Sequence, residues 1–202
     1  MKVLSPFGPK IAQLKLDKSL INKINKEVDR ISSQKKLTKK YDYSKKLVGQ
    51  VKQEIQLPKN FIKKYLAKKI NQSIKEFIKS TTGKTTKTIK IKNFWVVSQF
   101  SHEYNPVHYH DGHVSGVGYL KIPKFTTNKK SLTTNGTIDF INGNKMFLNN
   151  SIFNHNPRVG DVILFPNYLM HTAYPFTSEG ERRSFSFNAE IDNSIANVFK
   201  NE

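Results

Sequence analysis

The chain has 202 residues and no cysteine, and its 34 Lys and Arg against 15 Asp and Glu give a formal net charge of +19. The missing thiols exclude disulfides, thiolate metal sites and cysteine nucleophiles. The length suits a single domain, residues 1–202, with a full core. No apolar run approaches the ~18 residues of a membrane-spanning helix, and residues 1–9 lack a signal-peptide core, so a soluble, cytoplasmic protein is expected.

Such a basic chain could bind nucleic acid. Only four of its basic residues are arginine, however (Arg30, Arg158, Arg182 and Arg183), and Asn and Ile are also frequent. AT-rich coding drives composition toward Lys, Asn and Ile, whereas base reading favours Arg. Nucleic acid is therefore not the favoured partner.

In chain order, an extended lead at residues 3–9 precedes an amphipathic helix. Leu20, Ile21, Ile24, Val28 and Ile31 recur at helical spacing behind Asp17 or Ser19 as N-cap. Residues 33–46 are lysine-rich with few apolar anchors and read as a loop. Residues 47–57 alternate weakly and can hold a strand ending before Pro58. A second helix follows, its stripe running from Phe61 and Ile62 through Tyr65, Leu66, Ile70 and Ile74 to Phe77 and Ile78. After a Ser-Thr-Thr-Gly turn, β-branched and aromatic residues at 88–100 predict a strand with Trp95 as core. Residues 114–122 predict another, with Gly116 and Gly118 where a backbone or ligand approaches closely. Residues 123–157 are irregular, with strands predicted at 137–141 and 145–148, and suit either a substrate-facing loop or a surface insertion. Strands at 160–166 and 181–191 complete the set.

Helices first and seven or eight short strands after them imply an α+β chain. Residues 1–85 would be a mainly helical support, and residues 86–202 a double-stranded β-helix, or jelly-roll, core with the helices on one outer face. Alternation in the last strand places Arg182, Ser184, Ser186 and Asn188 on one side and Arg183, Phe185 and Phe187 on the other. A polar face turned into a barrel is costly unless it binds something.

The chemistry lies between residues 103 and 188. In an extended strand, His108 and His110 present two imidazoles to one point. Asp111 faces away, although the Asp111-Gly112 turn signal could swing its carboxylate back beside His108. His171 follows the apolar run 162–165, which is short enough for a buried strand, and supplies a third imidazole from a distant strand. Three such groups can form a facial triad, which leaves open positions on Fe(II).

These residues resemble the 2-oxoglutarate/Fe(II)-dependent oxygenases, in the prolyl-4-hydroxylase-like branch seen in phage and bacterial proteins. The resemblance implies Fe(II), 2-oxoglutarate as cosubstrate, O2 and ascorbate as cofactors. It implies oxidative decarboxylation of 2-oxoglutarate to succinate, coupled to hydroxylation of a peptidyl or small-molecule substrate. His108, His171 and Arg182 match the first His, the distal His and the basic residue that grips the far carboxylate of 2-oxoglutarate. Arg182 and Ser184 are similar to an Arg-x-Ser pair, and Tyr119 to a tyrosine that contacts the cosubstrate. His110 occupies the position of the carboxylate in His-x-Asp, so the second metal ligand is open among His110, Asp111 and His113.

Two other readings compete: a cupin-like metalloprotein without 2-oxoglutarate, and a metal-free, non-catalytic nucleic-acid-binding barrel. Residues 160–171 resemble part of a cupin motif, but no Glu follows His110 at the cupin spacing, and a cupin has no need for Arg182 and Ser184. If the lysines are compositional, DNA or RNA binds weakly and without sequence preference. Mobility-shift titrations at rising salt should show affinity falling steeply before physiological ionic strength.

Overall fold

The computed structural model describes residues 8–125 and 134–197, so most of the lead at 3–9 lies outside the described residues. Strand β1 (Ala12–Lys15) precedes helix α1 (Lys18–Ser32). Asp17 caps α1, accepting from Leu20 N at 2.8 Å. All five stripe residues from Leu20 to Ile31 are buried.

The lysine-rich segment is not a loop. It forms α2 (Lys35–Tyr41) and a 3-10 turn (Ser44–Lys46). Leu37 and Tyr41, four residues apart, pack against the core from one helix face, and the lysines around them are good helix formers. Strand β2 (Gln53–Gln56) follows. The second helix is continuous but not uniform: α3 (Lys59–Phe61), a π-helical turn (Ile62–Leu66) and α4 (Ala67–Thr82) run on from one another. Gly83, at φ 73°, closes α4 in the left-handed region open to glycine.

The remaining strands are β3 (Ile89–Gln99), β4 (Asn105–His108), β5 (Val114–Lys121), β6 (Ile138–Ile141), β7 (Ile152–His155), β8 (Asp161–Pro166), β9 (Met170–Ala173) and β10 (Arg182–Ile191), before the short helix α5 (Asn193–Ala196). Residues 145–148 are not a strand. They form a turn in which Met146 bridges Asn149 and Leu148 sits at φ 62°, and the paired strand is β7. With β1 also unforeseen, the described residues hold ten strands.

The strands make two antiparallel sheets, one in the order β1-β8-β5-β10-β3-β2 and one in the order β4-β9-β6-β7. This two-sheet arrangement is a double-stranded β-helix. The larger sheet carries the helices on its outer face, where α1 and α4 join Phe94, Val96, Phe185 and Phe187 in one core. The Phe94 ring stacks on Phe185 and Phe187 at 5.1 and 6.1 Å between centroids.

Gly116 and Gly118 make room for these phenylalanines, not for a ligand. They are the Cα partners of Phe187 and Phe185, and a Cβ at either would land on the partner's ring. Such overpacking in a central strand costs about 1–3 kcal/mol. Gly118→Ala is therefore expected to lower the unfolding free energy by that amount, seen in urea titrations as a lower midpoint with an unchanged slope.

Candidate metal and cosubstrate site

The smaller sheet delivers the imidazoles. His108 and His171 are directly opposed Cα partners on β4 and β9. His110 lies two residues past His108, beyond the end of β4. Its N–H donates to Asn167 O at 2.9 Å, so the turn before β9 holds it in place. One nitrogen from each of the three rings lies within 4.8 Å of the others. The rings are close together, with centroids 4.3 Å apart for His108 and His171 and 4.7 Å for His110 and His171.

Backbone carbonyls set two tautomers. His108 Nδ1 donates to Pro106 O at 2.7 Å, and His171 Nδ1 donates to Leu169 O at 3.0 Å. A carbonyl only accepts, so Nδ1 carries the proton in each neutral ring and the Nε2 lone pair stays free. Burial lowers the pKa of all three rings. His110 is pushed down to about 2 by burial and by its two neighbours, and His171 to about 3 by burial and His108. All three are therefore uncharged near neutral pH and available as donors. His110 Nδ1 is also buried with no protein partner among the described residues.

Asp111 does not join them. Its side chain is 71% exposed, and it accepts from Lys92 Nζ at 2.6 Å and from Gly112 N at 2.7 Å. The expected turn is present, with Gly112 at φ 91°, but Lys92 on β3 captures the carboxylate at the pocket rim. His113 is also elsewhere, its Nδ1 accepting from Ile191 N at 3.1 Å.

The cluster opens into a pocket of about 610 Å³, and Arg182, Ser184, Ser186 and Asn188 of β10 line its wall, as the alternation requires. Arg182 is only 2% exposed. Among the described residues its one hydrogen bond runs from Nη1 to Gly136 O at 2.8 Å, and Nε has no partner. No carboxylate pairs with it among the described residues, and burial lowers its pKa. The guanidinium stands 5.9 Å from the centre of the Tyr119 ring, whose buried hydroxyl is also unpartnered. Burial pushes the Tyr119 pKa up to about 12, so it stays a neutral donor. Arg183, on the opposite face, is paired with Glu181 at 2.6 Å and with Asp29 of α1 at 2.8 Å.

Residues 93–188 match the family model described as "Putative 2OG-Fe(II) oxygenase". That stretch, just under half of the chain, carries the three histidines of the cluster together with Tyr119, Arg182 and Ser184. No curated protein matches the chain in sequence. Among solved structures, the chain is similar to the viral collagen prolyl hydroxylase of Paramecium bursaria Chlorella virus-1 in its 2-oxoglutarate complex. The two share 15% identity and a TM-score of 0.57, over 89% of this chain and 94% of that one. It is also similar to a Trichoplax adhaerens prolyl hydroxylase in complex with a peptide fragment (10%, TM-score 0.59, 95% and 87%). A third is HygX of Streptomyces hygroscopicus with nickel and 2-oxoglutarate bound (12%, TM-score 0.55, 89% and 81%).

The pocket suits a metal ion and an anionic cosubstrate on its own evidence. Three uncharged imidazoles converge on one point, and among the described residues the Nε of a buried cation and a buried hydroxyl lack partners where an anion would satisfy both. No helix in the described residues is long and apolar enough to cross a membrane.

Three pocket residues carried no signal in the sequence. Trp95, expected as plain core, is buried in the pocket wall with its ring edge-on to His110 at 5.5 Å. Asn105 opens β4, and Glu54 on β2 faces the pocket although it is only 2% exposed. Burial, with a smaller contribution from Asp42, raises the Glu54 pKa to about 7. Folded Glu54 thus holds its proton at higher pH than the unfolded chain does, so its contribution to stability is lost as pH rises from the ordinary carboxylate range through about 7. Melting temperatures should show wild type declining relative to Glu54→Gln across that window, with the two converging at its acid end.

Proposed function

We propose that this oxygenase holds Fe(II) through His108, His110 and His171 and binds 2-oxoglutarate with its far carboxylate on Arg182, Ser184 and Tyr119, to hydroxylate a peptidyl or small-molecule substrate. The observation that carries the reading is Arg182: a guanidinium buried on a central strand, without an acid among the described residues, in the pocket that contains the three histidines. A bare buried cation costs several kcal/mol, and a carboxylate in the pocket removes that cost. When bound, Fe(II) and 2-oxoglutarate supply O2 activation: one oxygen atom leaves in succinate with release of CO2, and the other enters a substrate C–H bond.

The chain's own residues bind and orient. The two carbonyl-anchored imidazoles are fixed in ring plane and tautomer before any metal arrives. Three neutral ligands leave the metal's charge uncompensated, which favours an anionic cosubstrate. Arg182 offers a planar fork of donors, and the Ser184 hydroxyl, two residues along the same face, donates beside it. Tyr119, neutral because it is buried, donates rather than repels. Phe165 meets His171 edge-on at 4.9 Å and Phe140 stacks on it at 5.7 Å, so apolar rings hold the imidazole in place. The helices of residues 1–85 serve as support for the outer face of the larger sheet.

Two measurements test the reading. By metal analysis, Asp111→Ala should keep stoichiometric iron and His110→Ala should lose it; the reverse result would reassign the second ligand. By anaerobic calorimetry, Arg182→Ala should weaken 2-oxoglutarate binding by roughly 2–5 kcal/mol with iron retained. Ser184→Ala should cost on the order of 1 kcal/mol. Arg183→Ala should leave the affinity unchanged while lowering stability, since Arg183 ties β10 to α1. Equal affinities for wild type and Arg182→Ala would overturn the cosubstrate assignment.

A further inference from the structure

The pocket has a second charged end that the cosubstrate does not use. Across the larger sheet the Cα partners run from Tyr119 to Ser184, then Val97, then Glu54. Glu54 therefore stands three strand spacings, ~14 Å, from Tyr119, beside which Arg182 lies. No ion pair joins Glu54 to Arg182 among the described residues, and the two ionisable groups stand at opposite ends of one cavity.

Glu54 is 2% exposed and its Oε2 has no hydrogen-bond partner among the described residues. Asn105 Oδ1, buried in the same wall, also has none. Both surround Gly49, where a Cβ would land on Asn105 Oδ1 and come within 2.7 Å of Glu54 Oε1. Several acceptor oxygens thus converge with no donor between them. Turning the Asn105 amide to present its NH2 to Oε1 would still leave Oε2 bare. Lys46, the nearby lysine of the lining, holds its Nζ over the Tyr43 ring at 5.3 Å. Tyr43 and Trp95, with ring centroids 6.0 Å apart, add aromatic surface at this end. A buried carboxylate calls for a hydrogen-bonded cation, and aromatic faces attract the same charge.

We propose that Glu54 and Asn105 form the recognition end for the primary substrate, and that this substrate carries an ammonium or guanidinium group whose N–H donors dock between them. The proposal rests on the oxygenase reading for its chemistry, because Trp95 links the two regions: it flanks this end and meets His110 edge-on. A cationic head held at Glu54 directs its aliphatic stem past Trp95 toward the histidines. Arginine-like and lysine-like groups share this chemistry, either as free amino acids or as side chains in a peptide.

The test is calorimetric titration of the Ni(II)-loaded full chain, with and without 2-oxoglutarate. The probes are arginine against citrulline and lysine against norleucine, each as the free amino acid and as the central residue of an end-blocked Gly-X-Gly peptide. The expected result is that at least one cationic probe binds about 10-fold or more tightly than its neutral isostere. Glu54→Gln should erase that preference while 2-oxoglutarate affinity stays at the wild-type value. The free and peptide arms show which source is taken. Equal binding of cationic and neutral probes to wild type, no binding of any cationic probe, or a preference that survives in Glu54→Gln would each overturn the proposal. The wild-type isostere comparison decides the matter even if the variant does not fold. Failure of the cosubstrate reading would appear separately, as wild type that does not bind 2-oxoglutarate.

Discussion

Strand β10 has no free face, and the rest of the molecule follows from that constraint. It lies between β5 and β3, pairs with both along most of its length, and is covered by helices on one side and by the pocket on the other. Alternation then forces a division of labour. Phe185 and Phe187 go to the helices, where Gly116 and Gly118 leave space for their rings. Arg182, Ser184, Ser186 and Asn188 go to the cavity. A guanidinium buried this way is unfavourable without an anion, so the strand that organises the fold also creates the demand for a charged ligand.

The histidine cluster answers a different electrostatic problem. Burial disfavours a charge on all three rings, and beyond that His108 lowers the proton affinity of His110 and His171, and His171 that of His110. Where the related His-x-Asp pattern places a carboxylate, His110 brings no charge, and Asp111 beside it is neutralised by Lys92 outside the cluster. The cavity therefore gains no negative charge from the three histidines. Arg182 stands at one end of it and the Glu54 carboxyl at the other.

Much of this was legible because it is local. Helical spacing marked α1 and the long second helix, alternation assigned both faces of β10, and His-x-His with a third His after an apolar run selected the cluster. What failed depends on partners far away in sequence. Residues 33–46 read as solvated because lysine dominates, yet Leu37 and Tyr41 are enough to anchor a helix once a core exists to receive them. Asp111 had the right turn beside it, and only the arrival of Lys92 from β3 decided where its carboxylate went. Residues 145–148 have strand-like composition, but the pairing partner of β6 is the next segment, β7. Glu54 lies in a weakly alternating stretch where glutamate ordinarily faces water. Its burial comes from register with Val97 and from the close approach of Gly49, neither of which is written in the neighbouring residues.

The pocket also divides along the chain. The histidines, Arg182, Ser184 and Tyr119 all fall within residues 93–188, the stretch that matches the family. Tyr43, Lys46, Gly49 and Glu54 fall before it, on the 3-10 turn, the loop and the edge strand β2. An edge strand of four residues pairs along its length with β3 alone and meets only the short bridge at Asp42 on its other side, so its side chains can change with little effect on the central strands that carry Tyr119, Arg182 and Ser184. Reaction chemistry shared by a family needs a rigid centre, whereas substrate choice needs a wall that can vary without unfolding it. The segment around Glu54 meets the second requirement, because it reaches the cavity from the edge of the sheet while β10 holds the chemistry at its middle.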